Sequence, residues 1–192
     1  MISDKIESRF SGLVKIPGDK SISHRAIIIP SISKGISKIS NLLMSDDVLH
    51  TLEAFRSLGV KIEKKENKIF IHGNGLNSLS QSKKDIYLGN SGTSARLLTG
   101  LFASQSFDTV IQGDKSLSSR PMNRILKPLE KMGAKFESKN GNLPIKIKGT
   151  KLKNSTIEIE IPSAQIKSGL MLAAINTTGI SKIIEKNITR DH

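Results

Sequence analysis

A threefold internal repeat constrains the fold of this chain more than any other feature. Three segments share the order apolar strand, polar loop and apolar helix, and their predicted strands end at Ile16, Leu88 and Ile161. The first two of these ends are 72 positions apart and the last two are 73 positions apart. Similarity at a fixed period indicates supersecondary units that bury their apolar faces against one another. The sequence therefore predicts a fold built from three related units.

A second half-unit repeats in step with the first. Apolar residues at helical spacing end at Gly59 in one copy and at Gly133 in the next, 74 positions later. After each glycine come two short apolar segments, separated by the polar turns 66–67 and 140–141, a pattern that predicts a β-hairpin. Each unit is therefore predicted to be βαβαββ. The fold class is α/β, or α+β in some schemes.

Local signals set the expected limits of individual elements. Residues 13–16 are predicted to form the first strand, and Pro30 is expected to end or kink the following helix early. Ser45 is predicted to cap the second helix, and Pro121 is predicted to be the first helical residue of its counterpart in the second unit. The third unit stops after a strand signal at residues 180–185. The sequence thus predicts two complete units and an incomplete third.

Composition restricts the class of partner. The 192 residues include 30 Lys and Arg against 17 Asp and Glu, and the net charge of +13 favours an anionic partner. Aromatic residues make up only 4% and the lysines are scattered, which weakens the case for nucleic-acid binding. With no Cys, no apolar run of the roughly 20 residues that a membrane span needs, and no signal-peptide pattern, the sequence predicts a cytoplasmic protein without disulfides.

The loops before the three repeated helices carry residues typical of anion sites. Cations, hydroxyls, amides and glycine stand at helix starts, where free backbone N–H groups and the helix dipole favour negative charge. These residues are Lys20, Ser21, Ser23 and Arg25 in the first unit, Asn90, Ser91, Gly92, Thr93 and Arg96 in the second, and Ser163, Ala164, Gln165 and Lys167 in the third. A fourth loop, 113–120, repeats the Gly-Asp-Lys-Ser order of the first and ends in Arg120. We predict that these loops face one site for phosphate or carboxylate groups.

Simpler interpretations stay open for several residues. Helix capping explains Asp19, first-turn acidic residues explain the Asp46-Asp47 pair, and His24 is more typical of packing than of catalysis. The chain has neither a Walker loop nor a dinucleotide fingerprint, and its four histidines show no metal-ligand spacing. From the residues alone, an enzyme with anionic substrates and a non-catalytic basic module that binds anions or nucleic acid both remain possible.

Five motifs, in order along the chain, resemble the EPSP synthase (3-phosphoshikimate 1-carboxyvinyltransferase) family. They are Pro17-Gly18-Asp19-Lys20-Ser21-Ile22-Ser23-His24-Arg25, Leu88-Gly89-Asn90-Ser91-Gly92-Thr93 with Arg96, Gly113-Asp114 through Ser119-Arg120-Pro121-Met122, Ser163-Ala164-Gln165-Ile166-Lys167 and Thr189-Arg190-Asp191-His192. The resemblance extends from about residue 10 to the last residue, and it is to the branch with a Ser-Ala-Gln-x-Lys motif. The sister family that uses UDP-N-acetylglucosamine shares the fold, but it usually has a reactive Cys that this chain lacks.

The resemblance implies a fold of two lobes, each built from three βαβαββ copies, and a reaction without metal or organic cofactor. Members of the family transfer the enolpyruvyl group of phosphoenolpyruvate to the 5-hydroxyl of shikimate 3-phosphate, by addition and elimination, in aromatic amino-acid biosynthesis. Both substrates are polyanions, in keeping with the basic charge of the chain. The implied partners are these two small molecules, with no nucleic acid and no membrane, and the full-length enzyme is expected to be a monomer.

Carried over by motif, the resemblance assigns a role to residues in each of the loops. Lys20 is the implied catalytic residue and contacts both substrates. The residues implied to bind shikimate 3-phosphate are Lys20, Ser21, Arg25, Ser163, Ala164, Gln165 and Arg190. Those implied to bind phosphoenolpyruvate are Lys20, Asn90, Gly92, Arg120 and Gln165. Arg96 and Lys167 are expected to support them.

The resemblance also implies that a large part of an enzyme of this family is missing from the sequence. The second lobe of the family should carry the acidic general base for the 5-hydroxyl, and the closing motif should continue after His192 to a Glu. Residues 14–192 would then form the N-terminal lobe, and residues 1–13 would pack with the second lobe. We therefore expect a truncated chain that does not turn over alone.

Overall fold

The structure is a computed structural model that describes residues 12–186. The first unit contains α1 (Lys20–Ile32), β1 (Lys34–Ser40), α2 (Asp46–Ser57), β2 (Lys61–Lys65) and β3 (Lys68–Asn74). The second contains β4 (Ile86–Tyr87), α3 (Gly92–Ala103), β5 (Thr109–Gln112), α4 (Lys115–Ser118), α5 (Asn123–Lys131), β6 (Lys135–Lys139) and β7 (Asn142–Lys148). The third contains β8 (Thr156–Ile159), α6 (Ala164–Ala174) and β9 (Lys182–Glu185). The chain mixes helices and strands in every unit, which confirms the α/β class.

Each unit has its own small sheet. In the first unit the strand order is β1-β3-β2 and both pairings are antiparallel. In the second unit the order is β4-β5-β7-β6, with β4 and β5 parallel and the other pairings antiparallel. The third unit pairs β8 with β9 in parallel. Because parallel neighbours require a crossover connection, α3 and α6 each pass from one strand of a parallel pair to the other.

The predicted first strand at residues 13–16 is wrong. Residues 12–19 have no regular secondary structure, and the apolar side chains of this segment are between 75% and 99% exposed. The corresponding strand of the second unit, β4, exists because it pairs with β5. In the first unit the segment is joined to the residue that follows β1, where the Asn41 side-chain amide donates to the Ile16 carbonyl at 3.5 Å. An apolar segment becomes a strand only where a neighbouring backbone satisfies its polar groups.

Pro30 lies inside α1, so the predicted early end of this helix is wrong. The helix continues to Ile32, and the Ser33 amide donates to the Pro30 carbonyl at 3.2 Å. The hydroxyls of Ser31 and Ser33 each donate to the carbonyl four residues earlier, at 2.7 and 2.8 Å. A proline near the helix end removes one backbone hydrogen bond, and burial of the apolar inner face of α1 offsets that loss.

Contacts with neighbouring elements decide where α2 and α5 begin. Helix α5 starts at Asn123 and not at Pro121, because the Met122 amide donates to the Gly141 carbonyl at 2.9 Å and holds the preceding turn against the β6–β7 hairpin. Ser45 directly precedes α2, as predicted. Its hydroxyl, however, is buried and makes no capping hydrogen bond.

The helix ends and hairpins that the sequence predicts are confirmed. Gly59 and Gly133 follow the last residues of α2 and α5, and their φ angles of 89° and 93° lie in the left-handed region that favours glycine. The hairpins β2–β3 and β6–β7 turn at residues 66–67 and 140–141. The short helix α4, inside the predicted loop 113–120, is an addition to the predicted order.

Helix α3 forms the centre of the fold. Ten of its 12 residues are buried, and it contacts α1, α5 and α6. One apolar core runs through all three units around it, and the bulky side chains of Phe55, Phe102 and Leu98 are fully buried there. Between residues 12 and 186, every helix is too short or too polar to cross a membrane.

Candidate anion-binding site

Three equivalent helices start at one end of the fold. Helices α1, α3 and α6 begin at Lys20, Gly92 and Ala164, so their first residues are 72 positions apart. The residue before each of them caps the helix, because its side-chain oxygen accepts a hydrogen bond from a backbone amide of the first turn. The capping residues are Asp19, Ser91 and Ser163. The remaining free N–H groups of three first turns are thus available to an anion.

Gln165 joins the start of α6 to the start of α3. Its side-chain nitrogen donates to the Thr93 hydroxyl at 3.0 Å, and its oxygen accepts from the Arg96 guanidinium at 3.1 Å. Arg96 also donates to the Gly92 carbonyl at 3.1 Å. The structure therefore brings the second and third predicted loops together in one place.

Two guanidinium groups lie over Gly92. A Cβ atom at this position would be 2.8 Å from Nη1 of Arg96 and 3.3 Å from Nη1 of Arg120. Arg120 donates to the side-chain oxygen of Asn90 and, at 3.3 Å, to the Ser116 hydroxyl. The absence of a side chain at Gly92 lets both cations approach the backbone at the helix start.

The electrostatics of this arrangement favour an anion. Within residues 12–186, Arg96 and Arg120 donate only to neutral oxygens and have no carboxylate partner. Burial lowers the pKa of Arg96, and the nearby charges of Arg120 and Arg124 lower it further. Guanidinium groups offer planar pairs of donors that match phosphate and carboxylate. A ligand of this kind would neutralise the repulsion among these cations.

The start of α1 lies beside the starts of α2 and α3. Lys20 forms an ion pair with Asp47 in the first turn of α2, and their side chains are 51% and 19% exposed. One turn further along α1, Nδ1 of His24 lies 3.3 Å from Oγ of Ser94 on α3. Because this contact is within one turn of both helix starts, the first loop adjoins the second. The loops before α1, α3 and α6 therefore lie close together, and Arg120 of the fourth predicted loop reaches them through Asn90.

The structure describes four further residues of the predicted site. The side chains of Ser21 and Arg25 are partly exposed on α1 and have no hydrogen bond or ion pair within the described residues. Ala164 is the exposed first residue of α6. Lys167 pairs with Glu185 of β9 at 2.8 Å. Arg190 and the rest of the closing motif lie outside the described residues.

Sequence reasoning missed the acidic partner of Lys20 and the buried hydroxyls beside it. Asp47 is expected from sequence only as a first-turn acid, and neither Thr51 nor Ser94 is singled out. A signal was present in α2, where Thr51 occupies a position on the apolar face and is fully buried. In the described part of the chain, no three His, Asp or Glu side chains lie close enough to hold a metal ion together.

Comparisons with known proteins agree on one family. The model of the EPSP synthase (3-phosphoshikimate 1-carboxyvinyltransferase) family matches residues 5–192. A protein of Vesicomyosocius okutanii subsp. Calyptogena okutanii (strain HA), named 3-phosphoshikimate 1-carboxyvinyltransferase, is 50% identical over 182 residues, which are 94% of this chain and 42% of that protein. A protein of Leuconostoc citreum (strain KM20) with the same name is 50% identical over 184 residues, with the same two shares.

A solved structure gives the same result for the fold. The structure of EPSP synthase from Acinetobacter baumannii superposes with a TM-score of 0.89 at 43% sequence identity, and the match covers 94% of this chain and 41% of that chain. This chain therefore spans about 42% of the length of the curated relatives that it matches.

Proposed function

The chain belongs to the EPSP synthase family, and from this premise we propose that it supplies the anion-binding loops of an enolpyruvyl transferase. The proposed reaction transfers the enolpyruvyl group of phosphoenolpyruvate to the 5-hydroxyl of shikimate 3-phosphate and releases phosphate. Its product would serve aromatic amino-acid biosynthesis, through the shikimate pathway. No metal or organic cofactor takes part in the proposed reaction.

The pair of guanidinium groups over Gly92 is the observation that carries this proposal. Phosphoenolpyruvate has a phosphate and a carboxylate, and Arg96 and Arg120 lie together without a carboxylate partner within the described residues. Asn90, Gly92, Arg120 and Gln165 would line the phosphoenolpyruvate pocket, with Arg96 in support. The half-buried position of Arg96 makes its charge more effective than that of a fully exposed lysine.

Shikimate 3-phosphate would lie between α1 and α6. Lys20, Ser21 and Arg25 come from the first of these helices and Ser163, Ala164 and Gln165 from the second, while Arg190 is included on its motif alone. Gln165 already contacts Thr93 and Arg96, so it stands between the two proposed ligand positions. This arrangement would place the 5-hydroxyl of one substrate near C2 of the other.

The chemistry needs charge and orientation from this chain. The 5-hydroxyl oxygen adds to C2 of phosphoenolpyruvate while C3 gains a proton, and the tetrahedral intermediate then loses phosphate from C2 and a proton from C3. Lys20 would stabilise the negative charge of the phosphate as it leaves, and Arg120 would hold the carboxylate. An acidic group of the family's second lobe would accept the proton of the 5-hydroxyl. Lys20 pairs with Asp47 in this structure, so a bound phosphate would compete with Asp47 for the ammonium group.

Calorimetric titration of the chain tests the proposal. We expect shikimate 3-phosphate to bind, and we expect Arg120→Ala to weaken phosphoenolpyruvate binding by at least about tenfold, because a charge-assisted bidentate contact is lost. Arg56→Ala is the matched control, since Arg56 lies at the end of α2 and pairs with Glu53. Equal loss in both variants, or no binding of either substrate, would contradict the proposal.

The same titrations separate the enzyme from a basic binding module. Nucleic-acid binding through phosphate contacts falls steeply as the salt concentration rises. We expect negligible affinity for single- or double-stranded DNA at about 150 mM salt, a usual physiological ionic strength. Tight DNA binding under these conditions, without substrate binding, would favour the module.

We further propose that the full-length enzyme is a cytoplasmic monomer, which analytical ultracentrifugation and cell fractionation would check.

A further inference from the structure

Directly behind the proposed anion site, three side chains form a buried hydrogen-bonded network. His24, Thr51 and Ser94 are fully buried, and they come from α1, α2 and α3 respectively. Nδ1 of His24 lies 2.9 Å from the Thr51 hydroxyl and 3.3 Å from the Ser94 hydroxyl, and the two hydroxyls are 2.7 Å apart. Each helix contributes one member, so the network links the three helices.

On α1 and α2, the network lies one helical turn behind the ion pair of the site. His24 follows Lys20 by four residues, and Thr51 follows Asp47 by four residues. Residues at this spacing are neighbours on one helix face. The hydrogen bond between His24 and Thr51 therefore lies behind the Lys20–Asp47 ion pair, between the same two helices.

On α3, the network reaches the capping residue. The hydroxyls of Ser94 and Ser91 are 2.6 Å apart, and the Ser94 amide donates to the Ser91 hydroxyl at 3.2 Å. Ser91 stands between Asn90 and Gly92, the two residues of this loop proposed to line the phosphoenolpyruvate pocket. A displacement of Ser94 would therefore be transmitted to that pocket.

A buried polar network of this kind stabilises a core less than apolar side chains would. Burial lowers the pKa of His24 to about 4, so the imidazole is neutral at neutral pH. Its Nε2 atom is buried and has no hydrogen-bond partner among the described residues, which is unfavourable. Counting back from Gly133 and Gly59, Ile125 of α5 corresponds to Thr51 of α2, and it fills its place with a buried apolar side chain. Packing alone would thus be satisfied without the Thr51 hydroxyl.

We propose that His24 is a positioning residue which, through Thr51 and Ser94, sets the distance between Lys20 and the Asn90–Gly92 loop. The two loops then reach opposite sides of the same bound anion in a fixed relation. The inference rests on the proposed function for the identity of the ligand, and on the network alone for the coupling of the helices.

Two measurements on matched variants test the inference. His24→Leu keeps a bulky side chain without hydrogen bonds, and His24→Asn keeps a polar atom near the place of Nδ1. Ser94→Ala removes the partner on α3. Ser31→Ala is the control, because its buried hydroxyl donates within α1, to the Ile27 carbonyl at 2.7 Å. The readouts are the dissociation constant of phosphoenolpyruvate in the presence of shikimate 3-phosphate, and the amide hydrogen exchange of residues 92–95.

We expect His24→Leu and Ser94→Ala each to weaken phosphoenolpyruvate binding by about five- to tenfold. Both should also accelerate amide exchange at residues 92–95, although the first substitution is on a different helix. Their combination should be little worse than either alone, because one network is broken in each case. His24→Asn should retain most of the affinity for phosphoenolpyruvate that His24→Leu loses. Ser31→Ala should leave both readouts close to those of the unmodified chain.

Unchanged affinity and unchanged exchange in His24→Leu would overturn the inference, as would additive effects in the double variant. If the unmodified chain does not bind phosphoenolpyruvate, the proposed function fails, and amide exchange still decides whether His24 controls the start of α3. If His24→Leu does not fold, Thr51→Val and Ser94→Ala make the same test through the other members. Thr99→Val then controls for the loss of a buried threonine hydroxyl, since it bonds only within α3.

Discussion

The α1–α3 junction and the α3–α6 junction join successive units in the same order, yet they are built differently. Between α3 and α6 the backbones touch. A Cβ atom on Gly100 would lie 1.9 Å from the Gly169 carbonyl oxygen, and one on Gly169 would lie 2.7 Å from the Arg96 carbonyl oxygen. The residues 72 positions before the two glycines are Ile28 and Leu97, and both are buried side chains. The α3–α6 junction is thus closed by the absence of side chains, whereas the equivalent positions of α1 and α3 carry buried apolar side chains.

The polar residues at the two junctions also differ, in burial and in charge. His24 and Arg96 are 72 positions apart and therefore equivalent, and each contacts the next unit. His24 is fully buried and neutral, and it is part of a fixed network. Arg96 is half-buried and charged, and it lies beside Gly92. On the proposed function, one junction would hold the loops in position, while the other would present charge to the ligand.

The largest expected effect comes from adding a methyl group where the backbones touch. Gly100→Ala should lower the free energy of unfolding by about 3 kcal/mol or more, because its Cβ would overlap a backbone oxygen that cannot rotate away. Ile28→Ala, at the equivalent position of the other junction, should cost a similar amount for the opposite reason, a cavity. Urea unfolding followed by circular dichroism measures both.

Gly12→Ala is the control for the glycine substitution, since no atom lies within 4 Å of a Cβ there. It should change the free energy of unfolding by less than about 0.5 kcal/mol. If Gly100→Ala were as stable as the unmodified chain, α3 and α6 could separate without cost. The two junctions would then not differ in the way described.

The parts of this fold that sequence predicts well depend on local signals. The helix ends at Gly59 and Gly133 follow from apolar periodicity and from a glycine that adopts positive φ. The segment 13–16 has the composition of a strand as well, but a strand also needs a partner, which composition does not show. Pro30 departs from its prediction for a related reason, since packing of the inner face of α1 is a tertiary property.

In the candidate site too, local signals are predictable from sequence and tertiary contacts are not. Cations and caps at helix starts are visible in sequence, so Lys20, Gly92 and Gln165 can be selected from sequence alone. The partners of these residues are not visible there, because they depend on which helix faces which. His24 and Ser94 are 70 residues apart, and no periodicity links them. Which of the selected residues bind substrate remains a prediction.

Acidification should weaken the α1–α3 junction and spare the α3–α6 junction. The pKa of His24 is about 4 in the folded chain against an ordinary 6.5, so the unfolded chain takes up a proton first as the pH falls. This contribution to stability is complete above about pH 6.5 and is lost between there and about pH 4, by at most about 3 kcal/mol. The charged groups that face the imidazole are Asp47 on α2, which favours protonation, and Lys20 and Arg25 on α1, which oppose it.

The measurement is urea unfolding at several pH values for the unmodified chain and for His24→Asn. The variant should lose less stability between pH 6.5 and pH 4. The protection of the amides of residues 92–95, expressed relative to their intrinsic exchange rate at each pH, should fall with acid only in the unmodified chain. Because other carboxylates titrate in both proteins, the difference between the two curves is the quantity of interest. Parallel curves would show that His24 does not couple the first junction to pH.

The smallest effect on stability is expected at Arg96. A substitution there should change ligand binding while leaving the free energy of unfolding nearly the same. Burial and the charges of Arg120 and Arg124 disfavour the guanidinium, whereas its hydrogen bonds to Gly92 and Gln165 favour it. These contributions oppose each other, so Arg96→Met should change the free energy of unfolding by less than about 1 kcal/mol. The same substitution should remove most of the stabilisation that saturating phosphoenolpyruvate gives, since a ligand stabilises only as far as it binds the folded chain.

Thermal unfolding with and without phosphoenolpyruvate measures both quantities, with Arg56→Met as the control for the loss of an arginine outside the site. The ligand should raise Tm in the control as it does in the unmodified chain, and by much less in Arg96→Met. At His24 the two quantities should change together, because that residue holds the helices that carry the loops. If Arg96→Met lowered stability strongly and left the ligand effect intact, Arg96 would be a packing residue like His24, and the two junctions would have one function in common.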